Sequence, residues 1–239
     1  MSLHQVWRWV SHEDPVPAVE KNGGLFPYPP PVSFEERRLQ PVSRLFGFDR
    51  GMPLDRYYIE KFLQEHSSCI TGEVLEVADD GYTRKFGHNA VPHVLHVDSS
   101  SREATITGDL SKPETLPEGI ADCFICTQTF NFIYGLDDAV RGAHKLLRPG
   151  GVLLATVSGI SQVSRYDMDR WGDYWRFTVL SAQKLFSGHF REAAVKGYGN
   201  VFVAKAFLDG LSVEDVNDTG LLDFYDEDYT ITIGVFARK

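Results

Sequence analysis

The sequence predicts an α/β fold in which a mostly parallel sheet carries helices on both faces. Three observations predict it. Short apolar, β-branched runs alternate with segments of helical spacing from residue 73 onward, as in sheets buried on both sides. The distinctive polar residues follow these runs, where open sheets gather their ligands outside the strand ends. A last run, Tyr-Thr-Ile-Thr-Ile-Gly-Val-Phe-Ala at 229–237, alternates well enough to form an edge strand.

The elements follow in order. Residues 54–63 place apolar side chains at helical spacing behind Pro53, which suits a helix start. Strands are expected at 73–77, 93–97, 104–107, 120–127 and 152–157, with residues 84–86 opening a short connection of poor pattern. Residues 137–147 read as a helix, with Ala139, Val140, Ala143, Leu146 and Leu147 on one face and Arg141, His144 and Lys145 on another. Arg148-Pro-Gly-Gly151 terminates it. Residues 179–186 suit a helix, 193–199 a sixth strand and 201–208 a further helix.

Residues 1–42 form a separate arm in this reading. Pro15, Pro17, Gly23-Gly24 and the Pro-Tyr-Pro-Pro-Pro run at 27–31 interrupt regular structure. Trp7, Trp9, Phe26, Tyr28 and Phe34 argue that the arm wraps a surface of its own domain or of a second subunit, which favours a homodimer. Residues 43–239 are then the main domain.

Composition narrows the function. A net charge of -9 disfavours an extended nucleic-acid footprint, which needs clustered Lys and Arg. No run of about 18 apolar residues is present for a membrane span, and the N-terminus lacks a secretory leader pattern, so cytoplasmic residence is the default. Cys69, Cys123 and Cys126 are too few for a disulfide framework. The Cys-Phe-Ile-Cys spacing at 123–126 lies in a strand, where residues three apart face opposite sides, so redox or metal roles are not expected. His93 and His96 fail as a metal pair for the same reason, and metal independence is the expectation.

The most informative segment is Val-Leu-Glu-Val-Ala-Asp-Asp-Gly at 74–81. Loops that bind phosphate need glycines for close backbone approach, and they seat the anion on a helix N-terminus. Asp79 and Asp80 would repel it. A nucleoside cofactor without phosphates, carrying a sulfonium and an ammonium, escapes that repulsion, as S-adenosylmethionine does. Asp98 lies roughly 20 residues beyond Glu76, the spacing at which a carboxylate meets ribose hydroxyls in dinucleotide folds. Asp109, Thr127 and Gln128 follow the next strand ends. Helix capping is the plainer explanation for Asp98 or Asp109 alone. Convergence of all of them on one rim favours a ligand site.

Residues 74–81, Asp98, Gly108-Asp-Leu110, residues 122–127 and the Leu-Leu-Arg-Pro-Gly-Gly-Val-Leu run at 146–153 together resemble the successive motifs of class I S-adenosylmethionine-dependent methyltransferases, particularly the small-molecule, type 11-like group. The resemblance covers roughly residues 70–160 and implies a Rossmann-like sheet of seven strands whose last strand is antiparallel. Carried over by position, Glu76, Ala78, Asp79, Asp80 and Gly81 would contact the methionine part. Asp98 and Ser99 would meet the ribose, and Asp109 and Leu110 would frame the adenine. Thr127 and Gln128 would lie under the methionine and methyl group. The glycine loop is degenerate, because Ala78, Asp80 and Tyr82 stand at the usual glycine positions. An alanine lacks the freedom for positive φ, which predicts a loop path departing from the glycine one.

The resemblance also places acceptor contacts in the segment after the fifth strand, about residues 158–178. Trp171, Tyr174 and Arg176 are candidates there for a small molecule or glycan, since aromatics stack on rings and charged groups meet hydroxyls. The plainer alternative is a structural lid in which Arg170 or Arg176 pairs with Asp167 or Asp173. Ahead of the first strand, Arg50, Tyr57 and Tyr58 are candidates for covering the cofactor, with Tyr57, or the acceptor. The expected activity is O-methylation of a small molecule or sugar, with S-adenosylhomocysteine as product and Asp173 as general base, ahead of Asp167 and Asp169. A catalytically inactive binding or scaffold relative is the first rival, and a nicotinamide-dependent oxidoreductase the second.

Overall fold

The computed structural model describes residues 39–98, 101–216 and 218–239. The expected arm at 1–42 therefore lies almost wholly outside the described residues, as does Ser99. The unit Gln40–Lys239 is built on one seven-stranded sheet. Strands β1 (Gly72–Val77), β2 (Ala90–His96), β3 (Ile106–Thr107), β4 (Ala121–Thr127) and β5 (Leu147–Ser158) run parallel. Strands β6 (Glu192–Tyr198) and β7 (Thr232–Arg238) complete the order β3-β2-β1-β4-β5-β7-β6, with β7 antiparallel to both neighbours. The helices are α1 (Leu54–Glu65), α2 (Gly81–Phe86), α3 (Leu136–Leu146), α4 (Arg165–Met168), α5 (Val179–Ser187) and α6 (Val201–Leu208).

Two apolar clusters, one on each face of the sheet, hold these layers together. Leu75, Phe124, Cys126, Leu153 and Ala155 pack with Val140 and Ala143 of α3 and with Ala182 and Phe186 of α5. Val74, Cys123, Ile125, Val152 and Leu154 pack with Tyr58, Ile59 and Phe62 of α1 and with Val203 and Phe207 of α6. The alternation is the period of two expected of strands covered on both sides. Cys123 and Cys126 fall in opposite clusters, and burial pushes both thiols up, that of Cys126 to about 12. Gly234 lets α1 approach β7 closely: a Cβ there would lie 2.5 Å from the Phe62 ring.

Three expectations need correction. The final strand begins at Thr232, and it is an interior strand: β7 is buried on both faces between β5 and β6, leaving β6 as the edge. Its apolar residues on both faces fit that position better than an edge. The segment read as a connection at 84–86 is the end of helix α2, whose start is made by the acidic loop rather than by any apolar periodicity. The third strand is only two residues long. Among the described residues no helix is long and apolar enough to cross a membrane.

Candidate functional site

The carboxyl ends of β1 to β5 open onto two adjoining pockets. The larger, of about 510 Å³, runs from Val77 and Ala78 past Leu95, His96 and Val97 to Asp109, Leu110 and Ser111, and is closed by Gln128, Tyr134, Trp171 and Tyr174. The smaller, of about 190 Å³, is lined by Phe46, Phe48, Asp55 and Arg56 and by Asn131, Ser158, Asp173 and Arg176. Gln128, Phe132 and Asp167 line both. They form the shared wall.

Ala78 makes the turn out of β1 at φ +74° while its N–H donates to the Leu95 carbonyl at 3.1 Å. The loop thus takes the left-handed turn that glycine usually supplies, contrary to the departure expected from an alanine. A Cβ in that region costs roughly 1–2 kcal/mol. Three of the non-glycine residues with positive φ, Phe46, Ala78 and Gln128, line these pockets. Strain held by surrounding structure concentrates at binding sites.

The acids beside Ala78 are turned to a local task. Asp79 Oδ1 accepts from Gly81 N–H at 2.8 Å, and Asp80 pairs with Arg84 at 2.6 Å. Glu76 is 3% exposed and accepts from Thr83 N–H and Thr83 Oγ1, both at 2.9 Å, and from Tyr82 N–H at 3.2 Å. Burial lifts its carboxyl to about 7 while these donors pull the other way. Glu76, Asp79, Asp80 and Gly81 therefore build the N-terminus of α2, and the larger pocket's lining includes Ala78 alone from this loop.

Asp98 follows β2 with an exposed side chain, its Oδ1 3.3 Å from His96 Nδ1, while its neighbours His96 and Val97 form the pocket wall. Asp109 accepts from Ser111 N–H at 2.9 Å and Ser111 Oγ at 2.6 Å, and pairs with Lys112. Burial raises this carboxyl, but the Ser111 and Lys112 donors bring it net below its ordinary value. Leu110 is buried beside it. Thr127 closes β4 and gives its carbonyl to Thr129 Oγ1 at 3.0 Å, outside the lining of either pocket.

Gln128 is fixed by a network that also settles its orientation. Asn131 Oδ1 accepts from Ser158 N–H at 3.1 Å, so Asn131 Nδ2 must be the atom that donates to Gln128 at 2.8 Å. The receiving atom is then Oε1, which also accepts from Ser158 Oγ at 2.7 Å. Gln128 Nε2 is left buried with no partner. An unsatisfied buried donor costs about 1–3 kcal/mol, which a ligand oxygen can recover.

In the segment after β5, Asp173 is consumed by structure. Its carboxylate receives Arg176 at 2.6 and 2.8 Å and Ser164 N–H at 2.9 Å, and its side chain is 1% exposed. Burial alone would raise its proton affinity; the donors win and hold it below the usual carboxylate range. This geometry does not favour Asp173 as a base. Arg176 is used up on Asp173 and on the carbonyls of Gln162 and Trp175. Trp171 and Tyr174 face the larger pocket, Tyr174 packing edge-on against Tyr134 at 5.4 Å.

Three further candidates lie elsewhere. Arg50 is clamped by Asp215 at 2.7 Å, Tyr57 donates to Asp223 at 3.2 Å, and Tyr58 donates to the Leu222 carbonyl at 2.7 Å beside a separate cavity. Sequence reasoning missed Asp55, Arg56, Asn131 and Ser158. Asp55 and Arg56 sit in the expected helix, where an acid in the first turn reads as dipole compensation. Asn131, three residues after Gln128, carried a usable signal.

Residues 66–155 match the family model described as a methyltransferase domain. This segment belongs to that family. No curated protein matches the chain. The chain shares its fold with phosphoethanolamine N-methyltransferase 2 of Haemonchus contortus, solved with S-adenosyl-L-methionine, at 14% identity and a TM-score of 0.52 over 77% of this chain and 52% of that one. This chain thus spans about half the length of that enzyme. The 4+2 cyclase SpnF is similar at 13% identity and a TM-score of 0.50, over 80% of this chain and 84% of that one. At these identities the likeness concerns the fold. A cyclase among the neighbours means that the chemistry must be argued from the site.

Proposed function

We propose that the protein is an S-adenosylmethionine-dependent methyltransferase acting on a hydroxyl of a small polar molecule. The observation that carries this reading is the wall shared by the two pockets: Gln128, Phe132 and Asp167 face both. A methyl donor in the larger pocket and an acceptor in the smaller one would meet there. Positioning of that kind supplies much of the acceleration of an in-line displacement.

The residues of the larger pocket suit the cofactor. Leu95, Val97 and Leu110 offer apolar contact for an adenine, with Asp109 beside them. Ala78 and Gln128 stand toward the methionine end in this reading. Bound here, S-adenosylmethionine supplies an electrophilic methyl group on a sulfonium. Trp171, Tyr174 and Tyr134, all exposed, line its rim and offer rings for stacking.

The smaller pocket suits a compact acceptor. Its Phe46, Phe48 and Phe132 rings bracket carboxylates, amides and serine hydroxyls, the mixture that suits a polyol or sugar ring edge. Calorimetric titration with S-adenosylhomocysteine tests the reading. Binding in the micromolar range is expected, and no heat at millimolar ligand would overturn it in favour of a non-catalytic scaffold.

A further inference from the structure

We propose that Asp55, in the first turn of α1, is the catalytic proton acceptor of the smaller pocket and receives the proton of the acceptor hydroxyl. This rests on the methyl-transfer reading above and assigns the base within it.

Three carboxylates line the pocket, and two are committed. Asp173 is held by Arg176 and Ser164 N–H. Asp167 receives Ser164 Oγ at 2.5 Å on one oxygen and Trp171 Nε1 at 3.0 Å on the other. Asp55 receives backbone donors alone, the N–H of Arg56 at 2.8 Å on Oδ1 and its own N–H, and no side-chain donor among the described residues. Its Oδ2 accepts from no side chain and pairs with no cation among the described residues. The neighbouring Arg56 guanidinium lies over the rings of Phe48 and Tyr82, at 5.0 and 5.9 Å. The pocket therefore presents one carboxylate oxygen free to accept.

Gln128, whose buried Nε2 has no partner, lines the same pocket. A hydroxyl both accepts and donates, so it can satisfy Gln128 and Asp55 together, whereas an ammonium has no lone pair for the amide. As the acceptor oxygen forms its bond to the methyl carbon, the carbon–sulfur bond breaks with its pair remaining on sulfur. The hydroxyl proton passes to Asp55. The products are a methyl ether, S-adenosylhomocysteine and a protonated carboxyl that returns its proton to solvent.

Burial lifts the Asp55 carboxyl to about 6, near the range useful for a base at neutral pH. The charged and titratable groups around it are Arg56 on its own helix, Tyr82 on α2, and Asp167, Asp173 and Arg176 elsewhere in the pocket lining.

The test uses full-length protein saturated with S-adenosylhomocysteine and labelled with carbon-13 at aspartate carboxyls, with glycerol as the hydroxyl probe. The Asp55 resonance is identified by its loss in Asp55→Asn. We expect it to titrate near pH 6 and to shift when glycerol is added. Glycerol affinity should fall at least five-fold in Asp55→Asn, while the S-adenosylhomocysteine isotherm stays within two-fold of wild type and reports an intact fold. An Asp55 that titrates with the ordinary carboxylates, or glycerol binding indifferent to the substitution, overturns the assignment. Absent S-adenosylhomocysteine binding by the wild-type protein instead overturns the cofactor reading, and the assignment with it.

Discussion

Asn131 Nδ2 donates to Gln128 Oε1 at 2.8 Å, and this contact fixes the wall between the two pockets. Gln128 needs it because its backbone is strained at φ +49°, and Asn131, 1% exposed, anchors the amide to Ser158 on β5. Substituting Gln128→Leu leaves Asn131 Nδ2 with Ser158 Oγ alone and removes the acceptor of Ser158 Oγ. Stability should fall by about 1–3 kcal/mol, read by urea denaturation. S-adenosylhomocysteine affinity should fall about ten-fold.

Ala78→Gly relieves a Cβ in the left-handed region. The relief of about 1–2 kcal/mol outweighs the extra unfolded-chain entropy of glycine, about 0.4–1 kcal/mol, so stability should rise by up to about 1 kcal/mol. Ala78→Val should be clearly destabilising, because branching at Cβ worsens the same clash. The pair of denaturation midpoints checks both signs.

Glu76 links the loop to pH. Its carboxyl is raised from 4.5 to about 7 in the folded protein, so between those values the native state holds a proton that the unfolded chain releases. Its contribution therefore favours folding at acidic pH and is lost as pH rises through about 7, by on the order of 3 kcal/mol. The stability of the wild-type protein relative to Glu76→Gln should decline from pH 5 to pH 8. A difference that stays flat would mean that the three donors cancel the cost of burial.

Asp173 holds the segment after β5 in place. Asp173→Asn leaves Arg176 with carbonyl partners only and should cost roughly 1–3 kcal/mol. Its stabilisation is present above the ordinary carboxylate value and is lost as pH falls through its lowered one. Hydrogen exchange of the amides of Ser164, Trp171 and Tyr174 should quicken in the variant.

Much of the fold was legible because strand burial leaves a direct imprint. The alternation of Val74 and Leu75, or of Cys123 and Phe124, sorts residues between two cores whatever the loops do. The placement of β7 was misread because its leading Thr-Ile-Thr-Ile run imitates the alternation of an edge, although both faces of the strand are buried between β5 and β6. The rim at Asp109, Leu110 and Gln128 was legible from its place after the strands. What stayed hidden was how each polar side chain is spent. Glu76, Asp79 and Asp80 build a helix start, Arg50 and Tyr57 pair with acids far along the chain, and Asp55 is left over. For Arg50 and Tyr57 the partner lies some 160 residues away, which no local pattern encodes.

A crystal structure of the protein with S-adenosylhomocysteine tests the central claim most directly. The account predicts the adenine beside Asp109 and Leu110, and the methionine end between Ala78 and Gln128 with its sulfur facing the smaller pocket. Ligand density outside the larger pocket, or a sulfur turned away from the wall of Gln128, Phe132 and Asp167, would contradict it.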